Sequence, residues 1–265
     1  MKNLDNTIKY YELLMKYDDI SDFKNYELPE GFHYEFYKPG DEEEWVMIHI
    51  ESGEFTSIEK GLKYFHDFYD SFIEELPQRC VFIVDNATGE KVGTATISLL
   101  KELEHGYNGA VDWVAIKKKY QGRKLAKPLI SKFMNIARDL GHERIILHTQ
   151  TNTWLAAKLY LDYGFEILNK EDVDGWSILK TLTNHSKLSE YDILPYEKIL
   201  DSRNVEIERQ LTEIYGTDDF NYSVWYKNGL HNVYTYLNGV PYEYEYFIED
   251  GFIRLEEVQN KTYKR

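Results

Sequence analysis

The chain has 265 residues, 43% of them hydrophobic and 15% aromatic, which supplies apolar surface for a packed core and argues against global disorder. Its 46 acidic against 31 basic side chains give a formal net charge of −15, a field that repels polyanions and excludes nucleic acid as the expected partner. No stretch approaches the roughly 18 apolar residues of a membrane span, the N-terminus has no apolar signal core, and the single cysteine, Cys80, cannot form an internal disulfide, so a cytoplasmic protein without a membrane partner is expected.

Leu4, Ile8, Tyr11 and Met15 recur at helical spacing, which predicts a helical extension over residues 1–29. Alternation over residues 32–37 predicts a strand, ended by Pro39-Gly40. Asp41, three residues ahead of Glu44, looks like the start of a helix carrying Trp45, Ile48 and His49, so the acidic run is read as cap and dipole chemistry and no metal site is expected. A second helix is predicted over residues 58–76, closed by Pro77. Strands over 80–84 and 92–99 form a hairpin around the turn-rich residues 85–89, with Cys80 buried.

A strand over 110–116 leads to a helix from about Gly122 to Leu140, whose Leu125, Leu129, Phe133 and Ile136 follow the helical repeat up to a cap at Gly141. A strand over 144–149, a helix over 154–163 stopped by Gly164, and a strand pair within 165–182 complete the expected core over residues 30–183. Beyond it, Ile207, Leu211 and Ile214 predict one helix face. Asn228-Gly229, Asn238-Gly239 and Asp250-Gly251 then punctuate a four-stranded antiparallel meander, giving a small C-terminal α+β domain over residues 187–265. Tyr242, Tyr244 and Tyr246 share one face there, either as the half-buried side of the sheet or as a recognition surface.

Between Lys117 and Lys127, six of eleven residues are basic and none is acidic. Arg123, Lys124 and Lys127 fall at a helix N-terminus, where the macrodipole favours Asp or Glu instead. Two readings stand at this point: a phosphate cradle of free amides beside Gly122, or a solvated lysine-rich loop.

The stretch Gln121-Gly122-Arg123-Lys124-Leu125-Ala126 resembles the acyl-CoA-binding signature of the GCN5-related N-acetyltransferases, with Lys124 in the usual glycine place. About thirty residues on, Ala156-Ala157-Lys158-Leu159-Tyr160 with Gly164-Phe165 resembles that family's second signature. The resemblance implies an α/β fold with a mixed, splayed β-sheet flanked by helices, and acetyl-CoA as co-substrate with no metal. It implies that Val114, Ala115 and Ile116 hold the pantetheine arm and thioester through their backbone, and that Gln121, Gly122, Arg123, Lys124, Leu125 and Ala126 surround the pyrophosphate. The family's frequent cofactor-binding Asn falls at Thr153, with Asn152 one place early.

The resemblance also places at Tyr160 a phenol that protonates the departing thiolate; the competing reading is a core tyrosine. Asp112 corresponds to an acid that in some members accepts the amine's proton, and simple alternation puts its side chain on the same face as Val114; a structural ion partner is the other reading. His148 is read as a core or rim group in preference to a base. Glu51 and Glu54 flank Gly53 in the region that usually walls the acceptor pocket. The function implied is transfer of an acetyl group from acetyl-CoA directly to an amine, a cationic one given the charge of −15. The alternatives are a non-catalytic acyl-CoA sensor, or a C-terminal carbohydrate- or peptide-binding module anchored by the core. The motifs set neither the acceptor's identity nor an oligomeric state.

Overall fold

The structure, a computed structural model, describes residues 4–55, 57–98, 109–227, 230–237, 240–249 and 252–258. Its first regular element is a strand, β1 (Glu12–Tyr17), and this corrects the helical extension expected over residues 1–29. Leu13 and Met15 alternate into the core at full burial, and that period of two prevails over the helical spacing because a strand edge is open beside them. Strands β2 (Phe32–Phe36), β3 (Cys80–Asp85), β4 (Lys91–Ser98), β5 (Ala110–Ile116), β6 (Ile145–Gln150) and β7 (Glu166–Ile167) complete a seven-stranded sheet of order β2-β3-β4-β5-β6-β1-β7. β1 pairs antiparallel with β6 along its whole length, from Glu12↔Gln150 to Tyr17↔Ile145.

Helices α1 (Glu42–Ser52), α2 (Ile58–Tyr69) and the short α3 (Leu76–Arg79) cover one face of the sheet. Helices α4 (Ala126–Asp139), α5 (Trp154–Tyr163) and α6 (Val173–Thr183) cover the other. The single helix expected over 58–76 is broken by a 3-10 stretch at Asp70–Glu75, where Phe72 leaves helical geometry at φ −147. Pro77 opens α3 instead of closing α2, a position where its missing N–H goes unneeded. The strand pair expected within 165–182 is β7 followed by α6, because β1 occupies the place beside β6 and Trp176 and Leu179 are buried from a helix.

α1 and α2 touch at Gly61, where an added Cβ would lie 2.4 Å from Val46 Cγ1. Gly61→Ala is therefore expected to destabilise the fold by about 1–3 kcal/mol through overpacking, less the gain of up to about 1 kcal/mol in helix propensity. Urea unfolding checks this, and an unchanged midpoint would mean that the two helices separate freely.

After α7 (Tyr196–Ile199) and α8 (Ser202–Tyr215), strands β8 (Asn221–Lys227), β9 (Leu230–Leu237), β10 (Val240–Glu249) and β11 (Phe252–Glu257) form the expected meander in the order β11-β10-β9-β8. The three turn dipeptides of the sequence lie outside the described residues. Ile207 and Leu211 of α8 pack on Phe220, Tyr222, Val233, Tyr244 and Tyr246, so the tyrosine row is the covered face of this sheet. Ile214, expected on the same apolar face, is 52% exposed, since the helix turns it away from the strands. The meander touches the first sheet's layers: Lys60 Nζ of α2 lies 3.4 Å from the Tyr234 ring centroid, and Asn6 Nδ2 donates to the Tyr222 carbonyl at 2.6 Å.

Two irregularities in β5 set up the site. The β4–β5 register runs Thr94↔Ala115 and then Thr96↔Asp112, so Trp113 and Val114 together face Ala95 in a β-bulge, with Trp113 at φ 54. On its other side β5 pairs in parallel with β6 only through Ala110↔Ile146 and Val111↔Leu147; beyond these the two strands diverge.

Candidate active site at the divergence of β5 and β6

A cleft of about 760 Å³ opens where β5 and β6 part. Val114, Ala115 and Ile116 of β5 form its floor, Thr153, Leu155, Ala156, Leu159 and Tyr160 line it from the start and inner face of α5, and Leu125 to Ile130 line it from α4. Gln121, Gly122 and Lys124 close the loop between β5 and α4. Gln121 Nε2 donates to the Ile116 carbonyl at 3.0 Å, which ties the loop to the strand end.

The basic run divides into two groups. Lys117 is buried and pairs with Glu90 at 2.8 Å and Glu51 at 3.4 Å, Lys119 pairs with Glu90 at 2.9 Å, and Lys118 pairs with Asp219. Against the upward push of partial burial, hydrogen bonds from Lys117, Lys119 and Tyr120 hold the Glu90 carboxyl at about 2, so this anchor stays ionised. The other group, Arg123, Lys124 and Lys127, has no carboxylate partner among the described residues. Lys124 and Lys127 line the cleft, whereas the Arg123 guanidinium lies over the Tyr120 ring, 4.6 Å from its centroid, outside the lining.

α4 begins without an acidic residue in its first turn and without a capping side chain, so its leading amides and dipole face the loop side of the cleft unneutralised. Lys124 has φ 63, a left-handed backbone that glycine adopts without strain. That conformation is the physical reason for a glycine in this place of the signature, and here a lysine that lines the cleft adopts it.

Tyr160 is 6% exposed and meets both readings offered by the sequence. Its ring packs edge-on against Phe165 at 5.7 Å, while its side chain lines the cleft with no hydrogen-bond partner among the described residues. Burial pushes its hydroxyl pKa up, so the phenol stays protonated at neutral pH.

Asp112 does not join this site. The bulge at Trp113 and Val114 reverses the alternation: Val111 and Val114 pack on the α4–α5 side, Trp113 and Ala115 on the α1–α2 side. Asp112 therefore faces away from Val114, and its charge acts on Tyr69 of α2. Asn152 is also outside the lining: its carbonyl accepts from Asp5 N at 2.8 Å, and Thr153 lines the cleft in its place. His148 lies on β6 with Nδ1 2.9 Å from Glu12 Oε1, a hydrogen-bonded rim contact. His49, fully buried, is pushed down to about 3 and stays neutral.

Several lining residues escaped sequence reasoning, those of the N-terminal segment above all. Leu4, Tyr26, Glu27 and Pro29 reach the cleft because the N-terminal segment is built into the sheet, which the helical reading hid. Glu54 also lines it, from the turn between α1 and α2. The sequence signal for Glu54 was its place beside Gly53 in the region that the family resemblance assigns to the acceptor-pocket wall. Among the described residues no group of three or more His, Cys, Asp or Glu is arranged to hold a metal.

Residues 43–165 match the model of the Acetyltransferase (GNAT) family. Solved structures similar to this chain include a GCN5-related N-acetyltransferase from Sphaerobacter thermophilus, at 19% identity and TM-score 0.48 over 61% of this chain and 49% of that one. Another is an acetyltransferase from the GNAT family from Colwellia psychrerythraea, at 15% identity and TM-score 0.47 over 61% and 55%. A tandem GNAT protein from the clavulanic acid biosynthesis pathway matches at 14% identity and TM-score 0.46 over 62% and 52%. The chain spans about half the length of these solved structures.

Proposed function

We propose that residues 43–165, which match the model of the Acetyltransferase (GNAT) family, form an acetyltransferase domain, and that the protein transfers the acetyl group of acetyl-CoA to a cationic amine. The observation that carries this reading is the cleft itself, which joins the uncapped start of α4, the unpaired edge of β5 and Tyr160 in one continuous space.

The pyrophosphate would sit on the leading amides of α4 with Lys124 and Lys127 beside it, where helix dipole and ammonium charge act together. The pantetheine arm would lie along β5 beyond Val111, where no strand pairs with that edge among the described residues. This brings the thioester to the bulge at Trp113 and Val114, and fixed backbone donors there stabilise the oxyanion of the tetrahedral intermediate. As the intermediate collapses, the C–S bond breaks and Tyr160 gives its proton to the thiolate. The acceptor's amine is taken to be cationic because the net charge of −15 concentrates cations at the surface.

CoA is expected to raise the melting temperature, and adenosine nucleotides lacking the pantetheine arm to raise it less, by linkage of binding to folding. Release of free thiol from acetyl-CoA with a panel of primary amines then reports turnover. No thermal shift at millimolar CoA would remove the reading, while binding without turnover of any amine would support an acyl-CoA sensor.

A further inference from the structure

We propose that Glu54 is the base of this reaction: its carboxylate binds the acceptor's ammonium group in the cleft and takes its proton before the amine attacks the thioester. This rests on the acetyl-transfer reading above and adds the group that reading lacks.

Direct attack needs an unprotonated amine, and a primary ammonium has a pKa near the ~10.4 of a lysine, so a carboxylate or water must remove a proton near the thioester. Asp112 does not line the cleft, and its charge acts on Tyr69 of α2. Glu51 is engaged by Lys117 at 3.4 Å. Glu27 lines the cleft beside Tyr26, whose N–H donates to Ser131 Oγ of α4 at 2.8 Å, and Lys127 Nζ lies 5.2 Å from the Tyr26 ring centroid, so Glu27 belongs to the phosphate end. Glu54 is left as the lining carboxylate, in the turn whose Gly53 lies against Leu4. No lysine or arginine pairs with it among the described residues.

The turn that presents Glu54 is held from several directions. Gly53 ends α1 at φ 103, and the Glu54 N–H donates to the His49 carbonyl at 2.8 Å. A Cβ on Gly53 would meet Leu4 Cδ2 at 3.2 Å and Asn221 Cγ at 3.3 Å, so the N-terminal segment and β8 clamp the turn between them. The C-terminal sheet thus helps to fix this residue. The Glu54 side chain is exposed, so an incoming acceptor can reach its carboxylate, and the protein packed around it pushes its pKa upward only as far as that exposure allows. Its charge acts on Tyr10 of the N-terminal segment; on the same α1 end Glu51 is paired with Lys117 and His49 stays neutral, and Tyr160 lines the same cleft.

The step balances without a further reactant. Glu54 takes one proton from the ammonium; the amine's C–N bond forms; the nitrogen's second proton and the phenol's proton together supply the thiol and restore the phenol as the C–S bond breaks. Glu54 then releases its proton to water, so each turnover yields amide, CoA thiol and one proton.

The test compares the full-length wild type with Glu54→Gln and Glu54→Asp, using the best substrate among spermidine, tyramine, ethanolamine and a lysine-bearing peptide. Glu54→Gln is expected to lower kcat/KM by about 10² to 10⁴ fold and to abolish the acidic limb of its pH profile, with Glu54→Asp restoring that limb in part. The CoA thermal shift should be unchanged. Because the folded-state pKa is raised, ionised Glu54 costs stability above that pKa, so Glu54→Gln should melt no lower than wild type at pH 7. Wild-type turnover by Glu54→Gln, or an acidic limb that survives in it, overturns the assignment while leaving the transferase reading intact. CoA binding without turnover of any of the four amines by the wild type overturns both.

Discussion

The double variant Lys124→Glu, Lys127→Glu is expected to lose nearly all stabilisation by CoA. Both side chains line the cleft at the uncapped end of α4, where each reversal replaces an attractive contact with phosphate by a repulsive one. A hydrogen bond to a charged group is worth about 1.5–3 kcal/mol, and even with both values discounted for solvent the pair should weaken CoA by at least about 10² fold. At a concentration of 100 times the wild-type Kd, ligand stabilisation of about 2.7 kcal/mol would fall to about 0.4 kcal/mol or less. Arg123→Glu is the contrasting arm: its guanidinium lies on the Tyr120 ring outside the lining, so it should weaken CoA far less, and what loss it shows should shrink with added salt. Equal losses at Arg123 and at the two lysines would mean that the loop acts only through its net charge, and the cradle at α4 would have to be abandoned.

That contrast between Arg123 and Lys124 marks where sequence reasoning reached its limit. The charge conflict at the start of α4 was legible because three cations at a positive helix end, within a run of six, have few explanations, and those three do remain without carboxylate partners among the described residues. Which cation enters the cleft depends on the backbone, and Lys124 turns inward from a left-handed conformation that the residue type does not announce. The long amphipathic α4, the shorter α5 ended by Gly164, and the hairpin of β3 and β4 were legible from periodicity and glycine punctuation. β1 was not, since Leu13 and Met15 satisfy a strand while Leu4, Ile8, Tyr11 and Met15 satisfy a helix, and the choice is made by the edge of β6, more than a hundred residues away. Asp112 failed for a local reason: one extra residue in a bulge reverses the faces of a strand, and nothing in Val111-Asp112-Trp113-Val114 reveals it.

Tyr160→Phe is expected to slow turnover by about 10² fold, the low end of general acid catalysis, because the leaving thiol has a pKa near ~8.5 and departs tolerably well unaided. The ring stays, so its packing on Phe165 and the wall of the cleft are kept, and the CoA thermal shift should be that of the wild type. The loss should therefore appear in kcat more than in the half-saturation for acetyl-CoA. The hydroxyl has no hydrogen-bond partner among the described residues, so removing it strands no buried group and the variant should melt within about 0.5 kcal/mol of wild type. Alkaline pH adds a second readout. The folded-state pKa of Tyr160 is raised by burial, so the folded protein holds this proton more tightly than the unfolded chain, and the stability it contributes below pH 10 is lost as pH rises past the unfolded value. Tyr160→Phe removes that loss, and its melting temperature should fall less steeply than the wild type's above pH 10. Undiminished turnover with a lowered melting temperature would make Tyr160 a core residue only, and the thiolate would then take its proton from water or another side chain.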